Sequence, residues 1–270
     1  MWTTRLLTRD DNYSIEDAHI RVDHESWLPA EHHTDYRVMF VRSGTFRLRV
    51  NSRTMLVHPV LAYLVRPGDE QQIAHRADVV DECTRLTLSS ALMRELTDGA
   101  PPPVSQLVLT SGRLDLMHRT TVARARGDGD AFELLERVLR LAEGVIAAAG
   151  RPAGRPSRAV AARLTEAARE LLAADPVTLS LTETARRLGV SPSYLSRSFH
   201  SSVGMSLTRF RTQMRVRQVL DRIESGEQSL ARIAADLGFA DHAHMSRTVR
   251  NEVGHSPSAL RSLLAAVPAS

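Results

Sequence analysis

The sequence has one cysteine, Cys83, in 270 residues. A single thiol cannot form an internal disulfide, and it excludes a Cys-rich zinc module. Lysine is absent, and all 35 basic residues are arginine. Aromatics are scarce at 4%. No apolar run approaches the roughly 18 residues that a membrane-crossing helix needs. The stretch Met1-Trp2-Thr3-Thr4-Arg5-Leu6-Leu7 meets Arg9, Asp10 and Asp11 at once, which is too short and too charged for a secretory signal. A cytoplasmic protein is therefore expected. Also missing are a nucleophile motif, a Gly-rich phosphate loop and a Walker pattern. What remains is a globular composition, 43% hydrophobic and 24% charged, on a chain long enough for two ordinary domains.

Charge is unevenly divided. The last 120 residues hold 17 Arg against 10 Asp and Glu, whereas the first 150 hold 18 Arg against 21 acidic residues. An arginine surplus confined to one half of the chain suits a polyanionic partner.

From about Arg21 to Leu88 the chain reads as short strands. Tyr36–Val41 runs into a turn at Ser43-Gly44, and Phe46–Val50 alternates apolar with basic residues at period two. Leu61–Val65 stops at Arg66-Pro67-Gly68-Asp69, and Thr84–Leu88 alternates again. This spacing predicts a small antiparallel barrel or sandwich. Past Ser89 the pattern becomes helical. Ala91–Leu96 makes a turn or two, Pro101-Pro102-Pro103 interrupts, and Leu114–Arg126 resumes. Gly127-Asp128-Gly129-Asp130 supplies a turn and a cap. Then Phe132, Leu135, Val138, Leu139, Ala142, Val145 and Ile146 recur on one helical face, to pack on the strands or against a second copy of the chain. Residues 150–157, with two Gly and two Pro, form the expected linker. The expected domains are thus a β-rich 1–100, a helical extension 101–149 and an all-helical 158–268.

The helical half contains a repeat. Ala185, Leu188 and Gly189 align with Ala234, Leu237 and Gly238. After one extra residue, Leu195, Ser196, Arg197 and Gly204 align with Met245, Ser246, Arg247 and Gly254. Each copy, 180–203 and 229–253, has the sequence pattern of a helix-turn-helix. In the first, Ser180 and Glu183 suggest a capping box, and Gly189 suits a left-handed turn. Ser191 suits an N-cap with Pro192 at the first helical position. Leu195, Phe199 and Val203 form an anchoring face, which leaves Ser193, Ser196, Arg197 and His200 outward. In the second, Asp241 suits the cap, and Met245, Val249 and Val253 anchor. Ala243, Ser246, Arg247 and Arg250 face outward, with His242 and His244 near the helix start. A connecting helix over 207–224 carries Phe210, Met214, Val216, Val219, Leu220 and Ile223 on one side. Arg209, Arg211, Arg215, Arg217 and Arg222 occupy the other. Its length of about 27 Å can hold two helices roughly one DNA turn, about 34 Å, apart.

These residues resemble the AraC/XylS family of bacterial transcription regulators over about Arg158–Leu264. Ile233–Phe239, His244-Met245-Ser246-Arg247, Gly254-His255-Ser256-Pro257 and Arg261 are similar to its second helix-turn-helix, and Gly189–Pro192 with Tyr194–Arg197 and Phe199 to its first. Met245 and Val249 stand where the family has Phe, and Leu260 where it has an aromatic residue. The resemblance implies a regulator that binds double-stranded promoter DNA. Ser193, Ser196, Arg197, His242, Ala243, His244, Ser246 and Arg247 would read bases. His200, Arg215, Arg217 and Arg250 would meet phosphates. It also implies an α+β protein whose N-terminal half is a cupin-like barrel, loosely matched by Glu31-His32-His33, Pro67-Gly68-Asp69 and His75. That half would sense a small molecule or form a homodimer, with RNA polymerase a further partner.

The competing expectation is a cupin-type metalloenzyme with an accessory helical domain. His24, His32, His33, His58 and His75 fall in the β-rich half. But His32 and His33 are adjacent, and neighbours on a strand face opposite ways unless it bulges. Cys83 sits beside Asp81 and Glu82, whose charge discourages a thiolate. The expectation is no enzyme, no cofactor and no metal.

Overall fold

The computed structural model describes residues 2–100, 104, 106–127, 130–150 and 159–264. The chain divides into two compact units, Met1–Gly150 with Ser258–Ser270, and Arg151–Pro257. This division falls inside the segment 158–268 that the sequence reads as one domain. Of the expected linker 150–157, all but Gly150 lies outside the described residues, as do Pro101-Pro102-Pro103 and Asp128-Gly129.

The first unit is α+β. Its strands are β1 (Trp2–Arg9), β2 (Tyr13–Arg21), β3 (Glu31–His32), β4 (Tyr36–Ser43), β5 (Phe46–Val50), β6 (Arg53–Val57), β7 (Leu61–Val65), β8 (Glu70–Ala74) and β9 (Val80–Leu88). After helix α1 (Ser90–Leu96) come β10 (Gln106–Leu109), α2 (Gly112–Arg126) and α3 (Ala131–Ala149). They form a six-stranded sheet in the order β1-β2-β9-β4-β7-β10 and a four-stranded one in the order β3-β8-β5-β6. Every named pair is antiparallel. Of the expected barrel or sandwich, the described residues form the second kind, two packed sheets that do not close into a barrel. The hairpin β1–β2 lies upstream of the region that reads as strands. Its first strand, with Thr3, Thr4 and Arg5 exposed, lacks the alternation that betrays a buried face.

Period-two alternation decides where the apolar side chains go. Val38 and Phe40 of β4 join Ala62 and Leu64 of β7 in one core, while Met39 and Val41 join Leu61, Tyr63 and Val65 in another. The second core lies between the sheets, where Phe46, Leu48, Val50, Val57 and Ile73 of the small sheet complete it. The first is closed by α3, through Leu134, Val138, Leu141, Ala142 and Val145. Most of the apolar stripe of α3 is thus used on its own sheet, and Phe132 at its start is exposed. Strand β7 is buried along its whole length because both its faces are covered.

The second unit is all helical: α4 (Ala159–Ala174), α5 (Leu181–Arg187), α6 (Pro192–Val203), α7 (Leu207–Glu224), α8 (Leu230–Asp236) and α9 (His242–Val253). A last helix, α10 (Pro257–Leu264), begins at the unit boundary. Leu195, Phe199, Val203, Phe210, Met214, Val219, Ile233, Met245 and Val249 are all buried. Met245 and Val249 therefore anchor α9 as aliphatic side chains.

Candidate nucleic-acid interface

The two helix-turn-helix copies are built by the same local rules. Helices α5 and α8 start under Ser180 and Ser229, whose hydroxyls accept the N–H of Glu183 at 3.1 Å and of Arg232 at 3.2 Å. The Ser180 cap is thus one half of the expected box. The Glu183 carboxylate turns instead to Arg186 and Arg187, at 2.7 and 2.9 Å, and they hold it down at a pKa of about 2. Both first helices end on a left-handed glycine, Gly189 at φ 66° and Gly238 at φ 67°. Behind each glycine one backbone bond closes the turn, Val190 N–H to the Ala185 carbonyl and Phe239 N–H to the Ala234 carbonyl. The second helices start under Ser191 and Asp241, and both end on left-handed glycines, Gly204 and Gly254.

The outward faces match the expected set. On α6, Ser193, Arg197 and His200 are exposed and Ser196 is half-buried. On α9, His242, Ala243, His244, Arg247 and Arg250 are exposed and Ser246 is half-buried. His242 Nε2 and Ser246 Oγ lie 3.3 Å apart, one helical turn along the same face. Neither Arg197 nor Arg247 has a carboxylate within ion-pair distance among the described residues, so both guanidiniums face solvent.

Arg215 and Arg217 do not join them. Both are buried, at 8% and 1% exposure, and the expectation that they touch phosphates is corrected. Arg215 turns inward, its Nε donating to the Leu237 carbonyl at 2.7 Å and its guanidinium lying 3.9 Å from the centre of the Phe239 ring. Burial, then the nearby Arg211, pushes its pKa down to about 10, so it stays charged at neutral pH. The signal was present in the sequence. Arg217 is three residues from both Met214 and Leu220, which places it on the apolar stripe of α7 and not opposite it. Arg211 is another residue whose role the sequence did not disclose. Its Nε donates to the Pro176 carbonyl at 2.8 Å and its Nη2 to that of Val177 at 2.5 Å, tying α7 to the loop before α5. Gln213 Nε2 donates to Glu252 Oε2 at 3.3 Å, tying α7 to α9. The connecting helix is thus clamped to both helix pairs by buried or half-buried polar side chains.

The histidines of the first unit do not gather. His32 is exposed and His33 buried. His24 is exposed beside Asp23, His33 lies near Arg37 and Glu31, and His75 is bonded to Asp81 at 2.6 Å. Among the described residues no three His, Cys, Asp or Glu side chains are placed to hold a metal ion. Cys83 is fully buried, and this desolvation, more than the neighbouring Asp81, drives its pKa upward.

Two helix pairs, capped and turned by the same local rules and presenting polar, arginine-bearing faces, define a tandem helix-turn-helix DNA-binding protein. Residues 184–262 match the family described as a helix-turn-helix domain. Over 96% of its length the chain is 26% identical to the helix-turn-helix-type transcriptional regulator YfiF of Bacillus subtilis, covering 86% of that protein. It is 31% identical over 83 residues, 31% of its length, to the Msm operon regulatory protein of Streptococcus mutans, and spans 30% of that relative. Among solved structures it is similar to ToxT of Vibrio cholerae, at 13% identity and a TM-score of 0.39, over 96% of this chain and all of that one. The chain thus carries a helix-turn-helix domain and is similar over nearly its whole length to a bacterial transcriptional regulator. Among the described residues no helix is long and apolar enough to cross a membrane.

Proposed function

We propose that α6 and α9 enter two successive major grooves on one face of promoter DNA. Bases are read by Ser193, Ser196 and Arg197 in one groove and by His242, Ala243, His244, Ser246 and Arg247 in the other. His200 and Arg250, one turn further along each helix, meet the backbone. The observation that carries this reading is the repetition itself. Two helices, each preceded by a left-handed turn glycine, capped by a side-chain oxygen (Ser191, Asp241) and ended by a left-handed glycine, present the same Ser-Arg pair, Ser196-Arg197 and Ser246-Arg247, at the same place. The connecting helix, 18 residues long, spans about 27 Å. That suits grooves about 34 Å apart.

The first unit serves as the regulatory half, binding a small-molecule effector, pairing with a second copy, or both. Either event biases which spacing of half-sites the DNA-binding helices can bridge. The protein acts in the cytoplasm, without catalysis, and works on or against RNA polymerase at the promoter. The S. mutans relative is named for the regulation of an operon, which fits this reading.

The experiment is recovery and sequencing of genomic fragments retained by the full-length protein, followed by footprinting. Protection of two segments about one helical turn apart supports the reading. Retention that ignores sequence at moderate salt overturns it. Metabolites of the genes beside those fragments, titrated against thermal stability, test the effector half, because a ligand of the native state raises the melting temperature.

A further inference from the structure

The two helix-turn-helix copies differ at one point, and the difference centres on His244. One residue, Val190, separates Gly189 from its following N-cap, Ser191, whereas two, Phe239 and Ala240, separate Gly238 from Asp241. The extra residue is Ala240. Its backbone N–H lies in the turn and belongs to neither helix, and it donates to Nδ1 of His244 at 3.3 Å. The His244 ring meets Phe239 edge to face, 5.6 Å between centres at 78°. Phe239 in turn rests on the guanidinium of Arg215, which is fixed by the Leu237 carbonyl. The His244 main chain is held as well, its N–H donating to Asp241 Oδ1 at 2.6 Å. The equivalent residue in the first copy is Tyr194, which has no ring nitrogen to offer a turn.

A backbone N–H can only donate. Nδ1 of a neutral His244 must therefore be the acceptor, and its proton sits on Nε2. Nδ1 is engaged toward the turn, so the Nε2–H lies across the ring from it, on an exposed residue of the outward face of α9.

We propose that His244 is a fixed-tautomer, donor-only reader of DNA: the Ala240 amide holds Nδ1, the Arg215–Phe239 stack holds the ring, and Nε2–H selects a hydrogen-bond acceptor in the major groove. This rests on the base-reading role of α9 proposed above. Guanine N7 and O6, adenine N7 and thymine O4 are acceptors there, whereas cytosine presents its N4 amino group, a donor. The base facing His244 is therefore any but cytosine. His244 specifies by exclusion, in contrast to the bidentate selection expected of an arginine.

The test uses the full-length protein and duplexes randomised across its recovered operator. Wild type disfavours cytosine about tenfold at one position. His244→Asn places an amide oxygen where Nδ1 was, preserving the acceptor for Ala240 while removing the distal donor. It loses that exclusion and leaves the preferences at other positions unchanged. Cytosine exclusion retained in His244→Asn overturns the proposal. Nitrogen-15 NMR of histidine-labelled protein without DNA gives an independent reading. A neutral Nε2–H tautomer at His244 supports it, and an Nδ1–H tautomer overturns it. A wild type that selects no sequence at any position overturns base reading as a whole. Loss confined to the His244 inference leaves the rest of the selected pattern standing.

Discussion

The guanidinium of Arg215 lies over the ring of Phe239, 3.9 Å from its centre, inside the second unit. An arginine that sequence logic assigns to DNA is thus a structural strut. It joins the connecting helix to the turn before α9 through one cation–π contact and one bond to the Leu237 carbonyl.

Arg215→Met keeps the apolar stem but loses both polar contacts. It leaves a buried carbonyl without this donor, so a loss of about 2–3 kcal/mol is expected. Urea denaturation checks it. Were Arg215 a phosphate ligand instead, stability would hold and the salt dependence of DNA binding would fall.

Arg250 and Arg217 provide the complementary pair. Arg250→Ala, at an exposed site on α9, should reduce the slope of log affinity against log salt by about one. Arg217→Ala, at a buried site, should lower stability first. The measurement is a salt titration of operator binding on each variant, at a temperature where both are folded.

Arg197→Ala and Arg247→Ala should each relax selectivity at one or two operator positions, by about 1–3 kcal/mol of discrimination. Binding-site selection on each variant checks this. Selected sequences identical to those of wild type would remove the assignment.

Gly44→Ala should be among the most damaging changes in the first unit. Gly44 has φ +90°, and a Cβ there would stand 2.9 Å from the Asp81 Cα and closer still to its carboxylate. That carboxylate accepts the Thr45 N–H at 2.8 Å and bonds His75 at 2.6 Å, so it cannot step aside without breaking both. A cost of about 3 kcal/mol or more is expected, visible as a lowered thermal midpoint.

Acid should weaken the first unit through Asp17. Burial alone would raise the pKa of this carboxyl, but Arg42 and Arg126, the latter at 2.7 Å, outweigh burial and hold it below the ordinary value. A lowered native pKa means the folded state prefers the ionised form. The resulting stability is complete above the unfolded-state value of about 3.9. It disappears as pH falls through the native one. In Asp17→Asn the acid limb of the stability profile should be shallower than in wild type. Equal limbs in a pH series of melts would count against the network.

Much of the second unit was legible in its sequence. Helix starts and stops are local events. Ser180, Ser191, Ser229, Asp241 and the glycines at 189, 204, 238 and 254 act on backbone groups within a few residues of themselves. The outward residues of α6 and α9 followed from helical period alone. Legibility failed where an arginine had a choice of environments. Helical spacing placed Arg217 on the apolar stripe of α7, but nothing local to 215 states whether its guanidinium will face water or lie against Phe239. In the first unit, β4, β5 and β7 were visible in their apolar runs and turn residues, whereas β1 and β10 were not.

The amino-acid order by itself thus determined where the helices of the tandem motif begin and end, and which of their faces meets solvent. Tertiary structure alone decided that the β-rich half forms two sheets and not a closed barrel. It also decided that most of the stripe of α3 is spent on its own sheet and that Arg215 is a strut. Capping, turn and periodicity signals act over one or two helical turns of chain. Strand partnership and the burial of a charge depend on residues that are distant in sequence and meet only after folding.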